Sequence, residues 1–235
     1  MLNNTEDSSW ISLSDLMTTL MMVFLFIALN YMIQFVEYEF AERNIYNELE
    51  IEFDKEIDDG VIRLGPNGEV SFINSKDMGK PLFKVDSDKP TVFFKDQLSN
   101  FLPKYWNIIS DSLHFNFIEE IRIEGHADTT RKHHSEEENY LYNLDLSQRR
   151  AKEILAYIRT LPLYTESDIK TKNQMDFLFA AIGFSYSRTI NIEGEYTYQS
   201  DNKRVENDLS RRVVFRIKTS KPELLEEIQT LKHEN

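Results

Sequence analysis

The sequence predicts an α/β (α+β) sandwich domain that is preceded by a single transmembrane helix. An uncharged run of 21 residues lies near the N-terminus, at 16–36. Beyond residue 60, β-rich runs alternate with helical patterns, which is typical of a sheet packed against helices. The mean hydropathy of the whole chain is −0.47, which excludes a protein with many membrane spans but leaves room for one.

Composition narrows the classes of function. The 235 residues carry 40 acidic and 27 basic side chains, a formal net charge of −13, and they include no cysteine. An acidic surface repels phosphates, so we expect no direct binding of nucleic acid. A chain without cysteine has neither a disulfide framework nor a thiolate metal site. Because the sequence shows no nucleophile–base arrangement and no phosphate-binding loop, we predict no enzymatic activity and no cofactor.

The apolar run at 16–36 is the predicted membrane span. At about 1.5 Å per residue it covers roughly 31 Å, which matches the hydrocarbon core of a bilayer. The span can also be drawn over 11–33, so we assign 11–36 to the transmembrane helix and 1–10 to a tail. A cleaved signal peptide begins with basic residues, whereas the first ten residues contain none. We therefore predict an uncleaved anchor, although the first basic residue, Arg43, leaves its orientation undecided by charge.

Asp15 is the candidate ion-carrying residue of this span. A carboxylate inside the membrane costs a few kcal/mol and is a functional candidate by default. The alternative is that Asp15 caps the helix at the interface, next to Ser14. Thr18 and Thr19 follow at i+3 and i+4 and share its helix face, but their hydroxyls could instead bond to the preceding turn.

Residues 37–59 are predicted to form an acidic helical stalk. Ten of these residues are acidic and two are basic. Apolar residues recur at helical spacing, and this stripe could pair two copies of the chain side by side. The alternative is a solvated acidic linker. The members of the stripe are Phe35, Tyr38, Ile45, Leu49 and Phe53.

The domain at 60–235 contains alternating strand and helix signals. Two β-rich runs within 61–73 flank Gly65-Pro66-Asn67-Gly68, which indicates a hairpin. The clearest amphipathic helix is 147–160, with Asn143, Asp145 and Ser147 as candidate caps. Further strands are predicted at 91–94, 117–123, 177–182 and 212–217, and further helices at 98–113, interrupted near Pro103, and at 222–232.

Three motifs follow one another in this domain. They are Gly125-His126-Ala127-Asp128, then Asn143-Leu144-Asp145-Leu146-Ser147-Gln148-Arg149-Arg150-Ala151, then Arg211-Arg212-Val213. An enlarged, charged loop is predicted at 129–142, between the first two motifs. Its His133 and His134 are assigned to solvent rather than to a metal, because adjacent residues rarely complete a tetrahedral site.

This ordered set of motifs resembles the OmpA-like peptidoglycan-binding domain. Peptidoglycan stems carry diaminopimelate, which has both a carboxylate and an ammonium group. The resemblance implies that Asp128 holds the ammonium and that Arg150 grips the carboxylate in a two-pronged fork. Asn143 and Leu146 are spaced to line the same side of the helix as Arg150, and Tyr142 is placed to pack against the stem. The alternative is an ordinary ion pair between Asp128 and Arg150.

The N-terminal segment Trp10-Ile-Ser-Leu-Ser-Asp15-Leu-Met-Thr18 resembles the MotB family of ion-driven stator subunits. Within that superfamily the chain is similar to the B subunits of the Zorya anti-phage defence system, through its short acidic stalk and its enlarged loop. The resemblance implies that Asp15 carries the transported ion. Thr18 and Thr19 are candidate partners in this ion site and could help to bind sodium, but we expect the ion to be a proton.

The same resemblance implies a complete assembly. It consists of a homodimer inside a pentamer of a MotA- or ZorA-like membrane subunit, in a 5:2 complex that is anchored to peptidoglycan and turns by ion flux. The chain is then a single-pass inner-membrane protein, with a cytoplasmic N-terminus and a periplasmic C-terminal domain. A flagellar motor stator subunit and a passive cell-wall anchor without ion flux are the alternative functions.

Overall fold

The computed structural model of the chain describes residues 4–65, 68–74, 80–129 and 135–219. The chain divides into two compact units, Met1–Ala41 and Glu42–Asn235. The predicted helix at 222–232 and the histidines at 133 and 134 lie outside the described residues. The four-part division into tail, span, stalk and domain stays a prediction.

The N-terminal helix α1 runs from Asn4 to Glu52. Its stretch Leu13–Ile33 has a mean hydropathy of 2.1, no part of it is buried, and it is long and apolar enough to cross a membrane. The predicted single apolar helix at the N-terminus is therefore confirmed as a candidate span. The helix also continues beyond the apolar run, as the stalk pattern predicted.

Within the described ranges, five strands form one mixed sheet in the order β1-β2-β5-β3-β4. β3 and β4 are parallel, and the other neighbours are antiparallel. The strands are β1 Ile62–Leu64, β2 Val70–Ile73, β3 Ile118–Gly125, β4 Phe179–Gly183 and β5 Arg212–Thr219. The helices after α1 are α2 Asp54–Asp58, α3 Val92–Ile109, α4 Ser112–Phe115, α5 Glu136–Ile158, α6 Pro162–Thr165, α7 Ile169–Leu178 and α8 Asn207–Ser210. The predicted α/β class and the hairpin at 61–73 are confirmed.

One face of the sheet packs against the helices and forms the core. Phe72 of β2 and Phe215 of β5 are buried there, and the ring of Phe101 from α3 lies 5.1 Å and 5.2 Å from theirs. Ala151 and Ile154 of α5 are also fully buried in this core, as their helical spacing predicted. The opposite face of the sheet carries the polar residues of β3 and β5, because side chains alternate along a strand.

The stalk prediction needs a correction, because part of its apolar stripe is buried in the core of the same chain. Ile45, Leu49 and Phe53 are each no more than 2% exposed. The ring of Phe53 lies 4.9 Å from that of Phe101. These three side chains are therefore not free to pair two copies of the chain. Their helical spacing is real, but the surface that it fits is the chain's own domain.

Two predictions between residues 91 and 113 are wrong. The expected strand at 91–94 is the start of α3, where the Thr91 hydroxyl accepts a hydrogen bond from the backbone N–H of Phe94 at 3.2 Å. Pro103 does not interrupt this helix but lies inside it. A proline there removes one backbone hydrogen bond. The burial of its neighbours Phe101, Leu102 and Tyr105 offsets that loss.

The start of α5 is also different from the prediction. The helix begins at Glu136, and Ser135 is its cap, with its hydroxyl accepting from the N–H of Glu138 at 3.1 Å. Three glutamates occupy the first turn, where negative charge favours the helix dipole. The proposed caps at 143, 145 and 147 therefore lie inside α5, and 136–142 is helix rather than loop.

The buried stripe of α1 gives a stability prediction. Leu49→Ala is expected to lower the free energy of unfolding of the domain by about 3 kcal/mol, because it opens a cavity in a fully buried site. The matched control is Ile51→Ala, two residues away on the same helix, because Ile51 is 78% exposed and its loss costs less than about 0.5 kcal/mol. Urea unfolding followed by the fluorescence of buried Trp106 measures both. Equal losses in the two variants would contradict the packing described above.

Candidate functional site

The candidate wall-binding site lies where the end of β3 meets α5. Gly125 ends β3, and a Cβ at this position would collide with the backbone carbonyl of Ser147 in α5. Gly183 ends β4 and approaches the backbone of Gln148 in the same way. The two glycines therefore allow α5 to lie directly on the ends of both parallel strands, next to the loop that carries Asp128.

Side chains of α5 then fix this contact. The Ser147 hydroxyl accepts from the N–H of Ser185 at 3.0 Å. The Gln148 amide donates to the carbonyl of Ala181 at 3.0 Å and accepts from the N–H of Gly183 at 2.7 Å. Part of the sequence motif at 143–151 therefore serves to dock the helix, and the remaining residues are free to form a site.

The docked helix and the β3 loop enclose a cavity of about 280 Å³. Its lining includes all five residues that the sequence predicted for peptidoglycan binding. It also includes Arg211 and Arg212 of the third motif, and the segment 81–86, which belongs to no motif. The structure therefore brings the predicted residues together, while their binding of a ligand stays a prediction. The five are Asp128, Tyr142, Asn143, Leu146 and Arg150.

Arg150 is a buried cation of this cavity that backbone carbonyls hold in place. It is 9% exposed, its Nε donates to the carbonyl of Ser87 at 3.0 Å, and its Nη2 donates to the carbonyl of Lys84 at 3.5 Å. Its guanidinium carbon lies 4.8 Å from the centre of the Phe83 ring. Burial lowers the pKa of Arg150 to about 10, so the group stays charged at neutral pH. These two bonds use only part of the five N–H donors of a guanidinium, which leaves donors for an anion.

Asp128 forms its ion pair with Arg211 rather than with Arg150. Arg211 also pairs with Asp208, so one guanidinium bridges two carboxylates at the edge of the cavity. Among the described residues no ion pair joins Asp128 to Arg150, which donates to backbone carbonyls instead, although the nearby charge of Asp128 raises the pKa of Arg150. Asp128 itself is 5% exposed, so its charge lies in the wall of the cavity.

The other predicted residues shape the cavity from α5. The Tyr142 hydroxyl donates to Asp86 Oδ1 at 3.1 Å, which ties the helix to the 81–87 segment. The Asn143 amide donates to the carbonyl of Asn139 at 2.8 Å, so the side chain is oriented by its own helix. Leu146 is 5% exposed and supplies an apolar part of the wall.

A buried charge network supports the β3 loop. Glu124 is fully buried and accepts from Arg216 Nε at 2.9 Å, and it contacts His126 Nε2 at 3.2 Å. Burial alone raises the pKa of Glu124, but the hydrogen bonds of His126 and Arg216 outweigh it and lower this pKa to about 2. Burial, with the nearby charge of Arg212, lowers the pKa of His126 to about 3. His126 is therefore a neutral, structural residue of the motif.

The candidate ion site is described within α1 alone. The Thr18 hydroxyl donates to the carbonyl of Ser14 at 2.8 Å, and the Thr19 hydroxyl donates to the carbonyl of Asp15 at 2.9 Å. Both threonines thus make the bond to the preceding turn that the sequence left open. A hydroxyl that donates its hydrogen keeps its lone pairs, so it can still accept from a hydrated ion. The transport role of Asp15, Thr18 and Thr19 stays a prediction.

Comparison with known proteins identifies relatives at the level of sequence and fold. No protein-family model matches the chain. The Zorya protein ZorB of Escherichia coli is 34% identical over an alignment 229 residues long, which covers 92% of this chain and 89% of that protein.

Two solved structures resemble the fold at lower identity. A MotB-like protein from Desulfovibrio vulgaris is 17% identical, with a TM-score of 0.49, over 80% of this chain and 96% of that one. The periplasmic domain of Helicobacter pylori MotB is 15% identical, with a TM-score of 0.39, over 71% of this chain and 85% of that one. The family assignment rests on the sequence relative, which aligns over nearly its whole length. The chain belongs to the ZorB family of Zorya proteins.

Proposed function

We propose that this chain is the peptidoglycan-anchored B subunit of a proton-driven rotary stator complex that acts in anti-phage defence. The observation that carries the proposal is the 34% identity to ZorB, which extends over both the apolar helix and the domain with the cavity. The chain itself then plays a mechanical rather than an enzymatic role. It couples an ion site in the membrane to an anchor in the cell wall.

The anchor is the cavity at the end of β3. A diaminopimelate stem presents a carboxylate, which the unused N–H donors of Arg150 can bind in a two-pronged geometry. It also presents an ammonium group, for which Asp128 is the matching anion. Arg211 forms an ion pair with Asp128, so the ligand ammonium has to share or replace that contact. Binding is therefore selective for a zwitterion over a simple anion.

The ion site is Asp15 in the apolar part of α1. In this proposal the Asp15 carboxylate takes up and releases the transported proton in turn. Each proton that crosses 100 mV supplies about 2.3 kcal/mol. In the proposed assembly, two copies of this chain lie inside five copies of a larger membrane subunit, and the wall anchor prevents the dimer from turning with the ring. This places the N-terminus in the cytoplasm and the domain in the periplasm.

Reconstitution with the partner membrane subunit tests the proposal. Proteoliposomes that contain both proteins are expected to take up protons when a membrane potential is imposed, at the same rate with sodium or with potassium in the buffer. A trapped pH-sensitive dye measures the uptake, and liposomes with this chain alone are the control. Proton uptake that requires sodium in the buffer, or no proton uptake with either salt, would contradict the assigned ion.

A further inference from the structure

The polar face of the sheet, opposite the helices, carries a second cavity that the stator role does not use. It has a volume of about 450 Å³, within the range of small-molecule sites. Four cationic side chains line it: Arg122, Arg188, Arg216 and Lys218. Among the described residues that line it, none is acidic. Each of these cations also lies within ion-pair distance of a carboxylate outside the cavity wall. The pairs are Arg122 with Glu120, Arg188 with Glu124, Arg216 with Glu124 and Glu69, and Lys218 with Glu119.

The arrangement of these cations is costly unless something compensates it. The sheet register places Arg122 of β3 directly opposite Arg216 of β5. Like charges at facing positions of neighbouring strands destabilise a sheet. Part of the cost is offset by carboxylates outside the cavity wall. Glu124, on the same face of the sheet, accepts from Arg216, which also pairs with Glu69. Glu120 accepts from Arg122 Nε at 2.7 Å. Arg122 thereby uses one donor and keeps four.

The third arginine is held in place by stacking. The guanidinium carbon of Arg188 lies 3.7 Å from the centre of the Phe184 ring. The ring of His126 is nearly parallel to that of Phe184, with the ring centres 5.3 Å apart and an angle of 10° between the planes. Arg188 touches Glu124 only through Nη1, at 3.5 Å. Its guanidinium is therefore fixed by packing, while most of its N–H groups remain available for a ligand.

Tyrosines complete the wall of the cavity. Tyr196 is tied to the sheet, since its hydroxyl accepts from Arg216 Nη2 at 3.1 Å. Tyr198 is 88% exposed, so its ring offers a free aromatic surface beside the cations. Gln199 adds an amide that can both donate and accept. Aromatic faces pack against the apolar faces of sugar rings, and amides bond their hydroxyl groups, whereas arginine and lysine bind carboxylate or phosphate.

We propose that this cavity, which we call the sheet-face site, binds a saccharide that carries a carboxylate or a phosphate. The concave shape and the size favour a discrete ligand over a flat membrane or protein surface. The site is separate from the cavity that contains Asp128 and Arg150, which we call the stem-peptide cavity. The ligand proposed for the sheet-face site contains no peptide. The proposal therefore stands or falls independently of the wall anchor at Arg150. Two sources offer this chemistry in the bacterial envelope: peptide-free glycan with muramic acid, and phosphorylated glucosamine sugars.

Titration of the full-length chain in lipid nanodiscs tests the sheet-face site. The probes are a peptide-free tetrasaccharide of N-acetylglucosamine and N-acetylmuramic acid, a glucosamine disaccharide phosphate, neutral chitotetraose and inorganic phosphate. At least one of the two anionic sugars is expected to bind, and the one that binds identifies the source. Chitotetraose and inorganic phosphate are each expected to bind at least about tenfold more weakly. The proposal would be overturned if chitotetraose or inorganic phosphate bound as tightly as the anionic sugar, or if neither anionic sugar bound.

Variants test whether binding of the sugar depends on the sheet-face site or only on the net charge of the chain. Arg122→Gln with Lys218→Gln is expected to weaken binding of the anionic sugar by about tenfold or more. Lys152→Gln with Lys170→Gln removes the same charge from exposed positions on α5 and α7 and is expected to leave binding unchanged. Tyr198→Ala, at an exposed position, is expected to weaken the sugar but not phosphate. An equal loss in the control pair, or no loss in the site pair, would overturn the proposal.

Discussion

Asp15→Asn is expected to reduce phage protection to the level of cells that lack the protein, while the complex with the membrane subunit still assembles. The two side chains have nearly the same shape, but only the carboxyl can take up and release a proton. If the proton carries the energy for rotation, a residue that cannot titrate stops the cycle without disturbing the packing of α1. Plaque counts measure protection, and co-purification with the membrane subunit measures assembly.

Neighbouring residues supply the controls for this experiment. Ser14→Ala changes the adjacent polar residue without touching a titratable group, and we expect it to keep full protection. Asp15→Glu keeps a carboxyl on a longer arm and is expected to retain part of the activity. Full protection by Asp15→Asn would contradict ion transport and favour a passive wall anchor, because an anchor needs the domain but not the carboxylate.

Local sequence signals predicted those features that depend on near neighbours in the chain. The hairpin at 61–73 is fixed by its turn residues, and the core side of α5 is fixed by the spacing of Ala151 and Ile154. Resemblance identified five residues that the structure brings together around one cavity, three of them from the motif at 143–151, while their binding of a ligand stays a prediction.

Features that depend on distant contacts were missed. An apolar stripe that packs into the chain's own domain and one that pairs two copies of the chain have the same sequence pattern. The sequence near Leu49 therefore does not show that its partner surface is the chain's own domain. The contact of Arg150 with the carbonyls of Lys84 and Ser87 joins positions more than 60 residues apart and involves only backbone atoms of the partner. The Arg-Arg-Val motif identifies Arg211 as a candidate residue, but the motif alone does not show that Arg211 pairs with Asp128.

The second large effect is expected at the wall anchor. Arg150→Ala should weaken binding to isolated peptidoglycan by roughly 100-fold, because it removes a buried, charge-assisted pair of hydrogen bonds to the stem carboxylate. Arg150→Lys keeps the charge but not the planar fork, and it should lose roughly tenfold. Sedimentation of the full-length chain with purified cell-wall sacculi measures both. Phage protection should fall with Arg150→Ala as well, because an unanchored dimer turns with the ring.

Arg149→Ala is the matched control, since it removes the same charge from the next residue of α5. The Arg149 side chain is 44% exposed and pairs at the surface with Asp145 and Asp88, so it does not line the cavity. We expect it to bind sacculi as the unmodified chain does. Because Arg150 also holds the segment at 84–87, thermal unfolding of each variant is needed to separate lost binding from lost structure. Full binding by a folded Arg150→Ala variant would show that the cavity is not the anchor, and the coupling of wall and membrane would then need another contact.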